Sequence, residues 1–247
     1  MPESMLMWME IGFNVAYLIV IWGLVIAMIR RQPDVPAENQ KLTQYFIYAF
    51  GLLALGDTGH VGFRVMAFAL GNMDTTFTVF GLQLGLVGLG ALSTAITVTL
   101  FYVLMVVIWH ERYKKPYGWL GYILFAAAII RLLIMVLPDN MWNNAVPPQP
   151  MSLYRNFFLT FLGLGAAYLI LRDSIAVKDR AFTWIGAMIV ISYALYIPVI
   201  LLVQLYPLVG MLMIPKTLAY VAVGFIAYFN LFRASSESNI AVETTPA

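Results

Sequence analysis

The chain has 247 residues, of which 62% are hydrophobic and 11% charged, and its mean hydropathy is +0.85. A soluble domain carries roughly 25% charged residues, so this composition excludes an ordinary soluble domain. The net charge of +2 is too small to suggest a nucleic-acid-binding protein, and the absence of cysteine excludes disulfides, thiolate metal sites and thiol nucleophiles.

Seven apolar stretches are each long enough to cross a bilayer, which takes ~20 mostly apolar residues in a helix. We therefore predict an all-α, polytopic membrane protein with seven transmembrane helices in one domain, residues 1–233. The polar, aperiodic residues 234–247 are predicted to form a disordered cytoplasmic tail. In chain order the predicted spans are Glu10–Ile29, Leu42–Leu70, Phe77–Trp109, Tyr117–Leu137, Tyr154–Leu171, Ala181–Tyr206 and Val209–Phe232.

The basic residues predict the orientation of the chain in the membrane. Ten of the fourteen Lys and Arg residues lie in loops on one side of the predicted bundle, and the positive-inside rule places that side in the cytoplasm. The N-terminus is then outside and the C-terminus inside, and we expect a multi-pass protein of the plasma (inner) membrane. The basic loops at Arg112–Lys115 and Arg172–Arg180 would be available to a cytoplasmic partner.

Polar side chains within the spans are the candidate functional residues, because a charge inside a bilayer is costly and marks a functional site by default. They concentrate in the predicted outer half of the helices, whereas the inner halves are nearly pure hydrocarbon. This gradient predicts a polar cavity that opens to the outside. The candidate ligand-binding residues are Arg64, Arg131, Lys216, Tyr193, Tyr196 and Gln83.

The buried charges predict the sign of the ligand. Arg64, Arg131 and Lys216 are three cations against one certain buried anion, Asp57. Unpaired buried charge is heavily penalised, so the surplus predicts a small anionic ligand or the anionic head group of a membrane lipid. We therefore predict a receptor, sensor or lipid-binding protein; the alternative is that Asp57 pairs with Arg64 or Lys216 only to hold helices together.

Asp57 and His60 are also candidate catalytic residues, because they share one face of the second span. They would suit a metal-free intramembrane lipid hydrolase or transferase that moves a proton between them. No metal site is predicted, since the chain has two histidines and they fall near opposite membrane faces. A transporter or a subunit of a membrane complex is the remaining alternative, although no internal repeat is visible.

Two prolines and a lysine in the last spans lead to further predictions. Pro198 and Pro215 are expected to kink the sixth and seventh helices. Lys216 resembles the Schiff-base lysine of microbial rhodopsins, but those proteins have an aspartate one turn earlier, where this chain has Leu212. We therefore predict that the chain binds no retinal and no other cofactor.

Overall fold

A computed structural model of the chain describes residues 3–70, 75–79, 81–144 and 148–233, although not the side chains of residues 3–11, 79 and 82. Of the described residues, 86% are helical. Within the described ranges, seven helical segments are long and apolar enough to cross a membrane, so the chain is an all-α, multi-pass membrane protein. The helices are α1 Glu3–Arg31, α2 Ala37–Ala69, α3 Leu86–Tyr113, α4 Gly118–Val136, α5 Met151–Ala176, α6 Arg180–Leu202 and α7 Met213–Ala227.

A β-hairpin precedes α3 and corrects the predicted third span, which was placed from Phe77 onward. Strands β1, Thr76–Val79, and β2, Leu82–Gly85, pair antiparallel with Val79 opposite Leu82. Threonine, phenylalanine and valine favour strands, and Gly81 takes the positive φ of 80° that a tight turn needs. A hydropathy window does not distinguish an apolar hairpin from the start of a helix.

The hairpin and the α4–α5 loop lie at one end of the bundle, called here the hairpin end. The opposite end, called the basic end, carries the loops that hold ten of the fourteen Lys and Arg residues. Among the described residues, three 3-10 turns lie between the helices and one π-helical turn follows α7. They cover Gln32–Asp34, Pro138–Asn140, Pro207–Leu212 and Tyr228–Arg233.

The two prolines behave differently. Pro198 lies inside α6, as predicted. Pro215 lies in the first turn of α7, where a backbone amide needs no partner within the helix, and not within the body of the helix as predicted. The irregular backbone comes earlier, in the 3-10 turn of residues 207–212. The sixth span also ends sooner than predicted, at Leu202 rather than Tyr206.

Aromatic side chains pack together in the centre of the bundle, between the hairpin end and the basic end. The ring of Phe101 on α3 lies 5.6 Å from that of Phe50 on α2 and 5.7 Å from that of Tyr220 on α7, both edge to face. Such pairs add stabilisation beyond the burial of their area. Buried Leu24 brings α1 into the same core. Lys216 lies one turn from Tyr220, on the hairpin side of this layer.

Candidate functional site

Lys216 places an ammonium group against two aromatic rings. Its Nζ lies 4.4 Å from the centroid of the Tyr196 ring and 5.2 Å from that of Tyr220, so both rings attract the charge. The side chain is half-buried. Among the described residues, the ammonium group makes no hydrogen bond and no ion pair. The three donors of this cation are therefore without an acceptor in the described part of the chain, and the ammonium group contacts two ring faces.

Asp57 lies near Lys216 but does not pair with it directly. The hydroxyl of Tyr17 donates to Asp57 Oδ2 at 2.6 Å, and that of Thr94 lies 3.2 Å from Oδ1. These bonds join α1, α2 and α3 at the carboxylate. The charges of Asp57 and Lys216 are close enough to attract each other, yet no ion pair joins the two within the described part of the chain. Asp57 is thus held by two hydroxyl groups and Lys216 by two aromatic rings, without a direct bond between the two charged groups.

The structure does not join His60 to Asp57, although the two residues are three positions apart on α2. No hydrogen bond links them among the described side chains, and His60 Nδ1 is buried without a partner. Proton transfer needs hydrogen-bond contact, directly or through one water. Arg64 is half-buried and has an interaction partner of its own, and its charge acts on His60.

The predicted tyrosines take different places. Tyr196 contacts Lys216, and its hydroxyl donates to Asn156 Oδ1 at 3.1 Å. Tyr193 is 1% exposed and donates to the backbone oxygen of Leu159 at 2.9 Å, so it packs inside the bundle. Gln83 is exposed on β2, and the prediction that it lies on the third helix is wrong.

Arg131 is 2% exposed and binds protein oxygens. Its Nε donates to the backbone oxygen of Arg155 at 2.9 Å, and one terminal nitrogen donates to that of Ala95 at 2.5 Å and to the Thr99 hydroxyl. Arg131 therefore ties α4 to α3 and α5. Its charge acts on Tyr196 and Tyr220, the two tyrosines whose rings contact Lys216.

Some site residues were missed by sequence reasoning. The contact between Tyr220 and Lys216 could have been predicted, because Tyr220 follows Lys216 by four positions and so lies on the same helix face. The contacts of Tyr17 and Thr94 with Asp57 could not, since they depend on how α1 and α3 are placed against α2. Arg155 was not among the predicted site residues, and it is buried, with 6% of its surface exposed.

At the basic end, ion pairs connect the loops to one another. Asp173 accepts from Lys115 at 2.8 Å, from Arg172 at 2.7 Å and from the indole of Trp109 at 2.8 Å. Asp179 pairs with Arg112 at 2.8 Å. Several of the basic residues predicted to meet a cytoplasmic partner are therefore paired within the chain, while Lys178 and Arg180 are exposed.

Comparisons with protein families, with characterised proteins and with solved structures found no match to this chain. Within the described residues, no group of three or more His, Asp and Glu side chains is placed to hold a metal ion. The chemistry of Lys216, Asp57 and the surrounding tyrosines is therefore the basis for a functional proposal.

Proposed function

We propose that this protein is a membrane receptor, sensor or lipid-binding protein whose ligand, a small anion or an anionic lipid head group, binds Lys216. The supporting observation is the half-buried ammonium group that has no acceptor among the described residues. Removing a charge from water is unfavourable unless hydrogen bonds replace the lost hydration. A carboxylate or phosphate would supply charge-assisted hydrogen bonds to the three donors of Lys216.

The surroundings of Lys216 suit a ligand that binds and leaves. Tyr196 and Tyr220 hold the ammonium group in place, so little side-chain entropy is lost when the ligand arrives. Asp57 is near enough to oppose an incoming anion, which limits affinity and keeps binding reversible. From the charge bias, the hairpin end would lie outside the plasma (inner) membrane, and the ligand would enter from that side.

The test is the anion content of the purified protein. Mass spectrometry would compare small molecules and lipids retained by the wild type, by Lys216→Gln and by the control Lys178→Gln, which removes an exposed lysine at the basic end. We expect an anionic species in the wild type and the control, reduced at least about tenfold in Lys216→Gln. One charged hydrogen bond contributes roughly 1.5–3 kcal/mol, and 1.4 kcal/mol corresponds to about tenfold in affinity.

Identical anion content in Lys216→Gln and the wild type would refute the proposal. The enzyme alternative makes a different prediction, because a catalyst that uses His60 would keep its ligand and lose turnover in His60→Ala. The lack of a hydrogen bond between Asp57 and His60 in the described structure favours the binding protein.

A further inference from the structure

Two buried arginines near the hairpin end, Arg131 and Arg155, have no carboxylate partner among the described residues. Arg131 is 2% exposed and Arg155 is 6% exposed, and their charges repel each other. Within the described part of the chain, neither forms an ion pair. The hydrogen bonds of Arg131 go to neutral oxygens, which stabilise the cation without cancelling its charge. The pair therefore carries two positive charges in a desolvated position, which is costly.

A small cavity borders Arg155. Its volume is about 10 Å³, which is room for about one water-sized occupant. It is built where residues 141–144 lie against the start of α3. A Cβ on Gly88 would lie 1.9 Å from the backbone oxygen of Trp142, so only glycine allows this contact. The cavity is lined by Gly88, Ala91, Asn140, Met141, Trp142, Asn144 and Arg155.

The guanidinium of Arg155 is only partly used by the protein. One terminal nitrogen donates to Asn140 Oδ1 at 3.0 Å, and the group lies 4.4 Å from the ring centroid of Trp142. The buried polar atoms without a partner in the described structure belong to other side chains, His60 and Tyr113. Among the described residues, the other N–H groups of Arg155 have no hydrogen-bond partner, and Arg155 lines the cavity.

We propose that this cavity binds one small inorganic anion, with chloride as the physiological occupant. The anion accepts hydrogen bonds from the unused N–H groups of Arg155 and offsets the charge of the arginine pair. Lys216 is not among the residues that line this cavity, so the two proposed sites are separate. A bound anion also stabilises the packing of the α4–α5 loop against α3 and α5, because residues of the loop and of both helices line the cavity.

The test is thermal unfolding of the detergent-purified protein in sodium chloride and in sodium gluconate at equal ionic strength. We expect chloride to raise the unfolding temperature by about 2–4 °C, with saturation, which corresponds to roughly 1 kcal/mol from one occupied site. Potassium chloride should act like sodium chloride, and sodium phosphate should act like gluconate. Arg155→Gln should lose the chloride effect, and Arg180→Gln, which removes an exposed arginine at the basic end, should keep it.

A second measurement covers the case in which Arg155→Gln does not fold. Chlorine-35 NMR should show line broadening by the wild type and equal broadening by Lys216→Gln, since the Lys216 site is separate. Loss of broadening in Lys216→Gln would assign the anion to that site and overturn the proposal. Equal stability of the wild type in chloride and gluconate, with no broadening, would show that the cavity holds water.

Discussion

Arg131 shows how a buried cation is held by neutral groups. Its acceptors are the backbone oxygens of Ala95 and Arg155 and the hydroxyl of Thr99, which belong to α3 and α5. A planar guanidinium presents donors in several fixed directions, whereas a lysine ammonium is one point charge on a flexible stem. The geometry therefore assigns Arg131 a structural role between three helices, beside the ligand-binding role predicted from its charge.

Replacement of Arg131 by lysine separates these two roles. We expect Arg131→Lys to lower the free energy of unfolding by about 2 kcal/mol, because three hydrogen bonds at the membrane average of about 0.6 kcal/mol each are lost. The measurement is reversible unfolding in mixed micelles, with Arg180→Lys as the exposed control. Unchanged stability together with lost anion content would instead make Arg131 a ligand contact.

The individual charges of the site were predictable, but their partners were not. Asp57 and Lys216 stand out because a charge within an apolar run has few explanations. Their separation could not be predicted, since it depends on Tyr17 and Thr94 engaging the carboxylate and on the tyrosine rings holding the ammonium. Tertiary contacts between helices decide this, and the sequence pattern of one helix does not contain them.

At the scale of elements, α2 and α3 are held together by small residues. A Cβ on Gly56 would lie 1.8 Å from Thr97 Oγ1 and 2.8 Å from Thr97 Cβ, so α3 approaches the α2 backbone directly. Close approach of this kind drives association of membrane helices, because lipid supplies no hydrophobic force between them. It also brings Thr94 of α3 to the backbone oxygen of Gly56 at 3.0 Å, beside Asp57.

A pair of alanine substitutions on α2 tests this contact. Gly56→Ala should destabilise the protein by about 1–3 kcal/mol, because the added methyl forces the stiff side chain of Thr97 and its helix to move. Gly62→Ala meets nothing within 4 Å and should be neutral or stabilising by about 0.5–1 kcal/mol. Thermal unfolding of both variants decides the matter, and equal losses would mean that the helices are not tightly packed at Gly56.

Element prediction succeeded where an apolar run is long and failed where short-range geometry decides. Each predicted span overlaps one of the helices in the described ranges, because bilayer length and charged loops constrain both. The hairpin at Thr76–Gly85 was not predicted, because its residues are as apolar as those of a transmembrane helix. The position of Pro215 relative to the start of α7 was also hidden, because the 3-10 turn before α7 is itself apolar.

Across the whole molecule, the described ionic and polar groups form two layers separated by aromatic packing. The basic end holds direct ion pairs around Asp173 and Asp179, where water is near. The hairpin half holds cations without direct ion pairs at Lys216, Arg131 and Arg155. Paired charges at one end stabilise loops, whereas the unpaired charges in the other half favour anions. The two proposed anion sites fit this division.

The orientation of these layers in the membrane is the last prediction. Ten of fourteen basic residues lie at the basic end, so that end should face the cytoplasm and the hairpin end should face outward. The chain contains no cysteine, which makes single-cysteine labelling unambiguous. Asn144→Cys, at an exposed position of the α4–α5 loop, should react with an impermeant thiol reagent on intact cells. Ser236→Cys, which follows the described residues, should react only after the cells are permeabilised. Labelling of Ser236→Cys but not Asn144→Cys on intact cells would reverse the orientation and place the proposed ligand site on the cytoplasmic side.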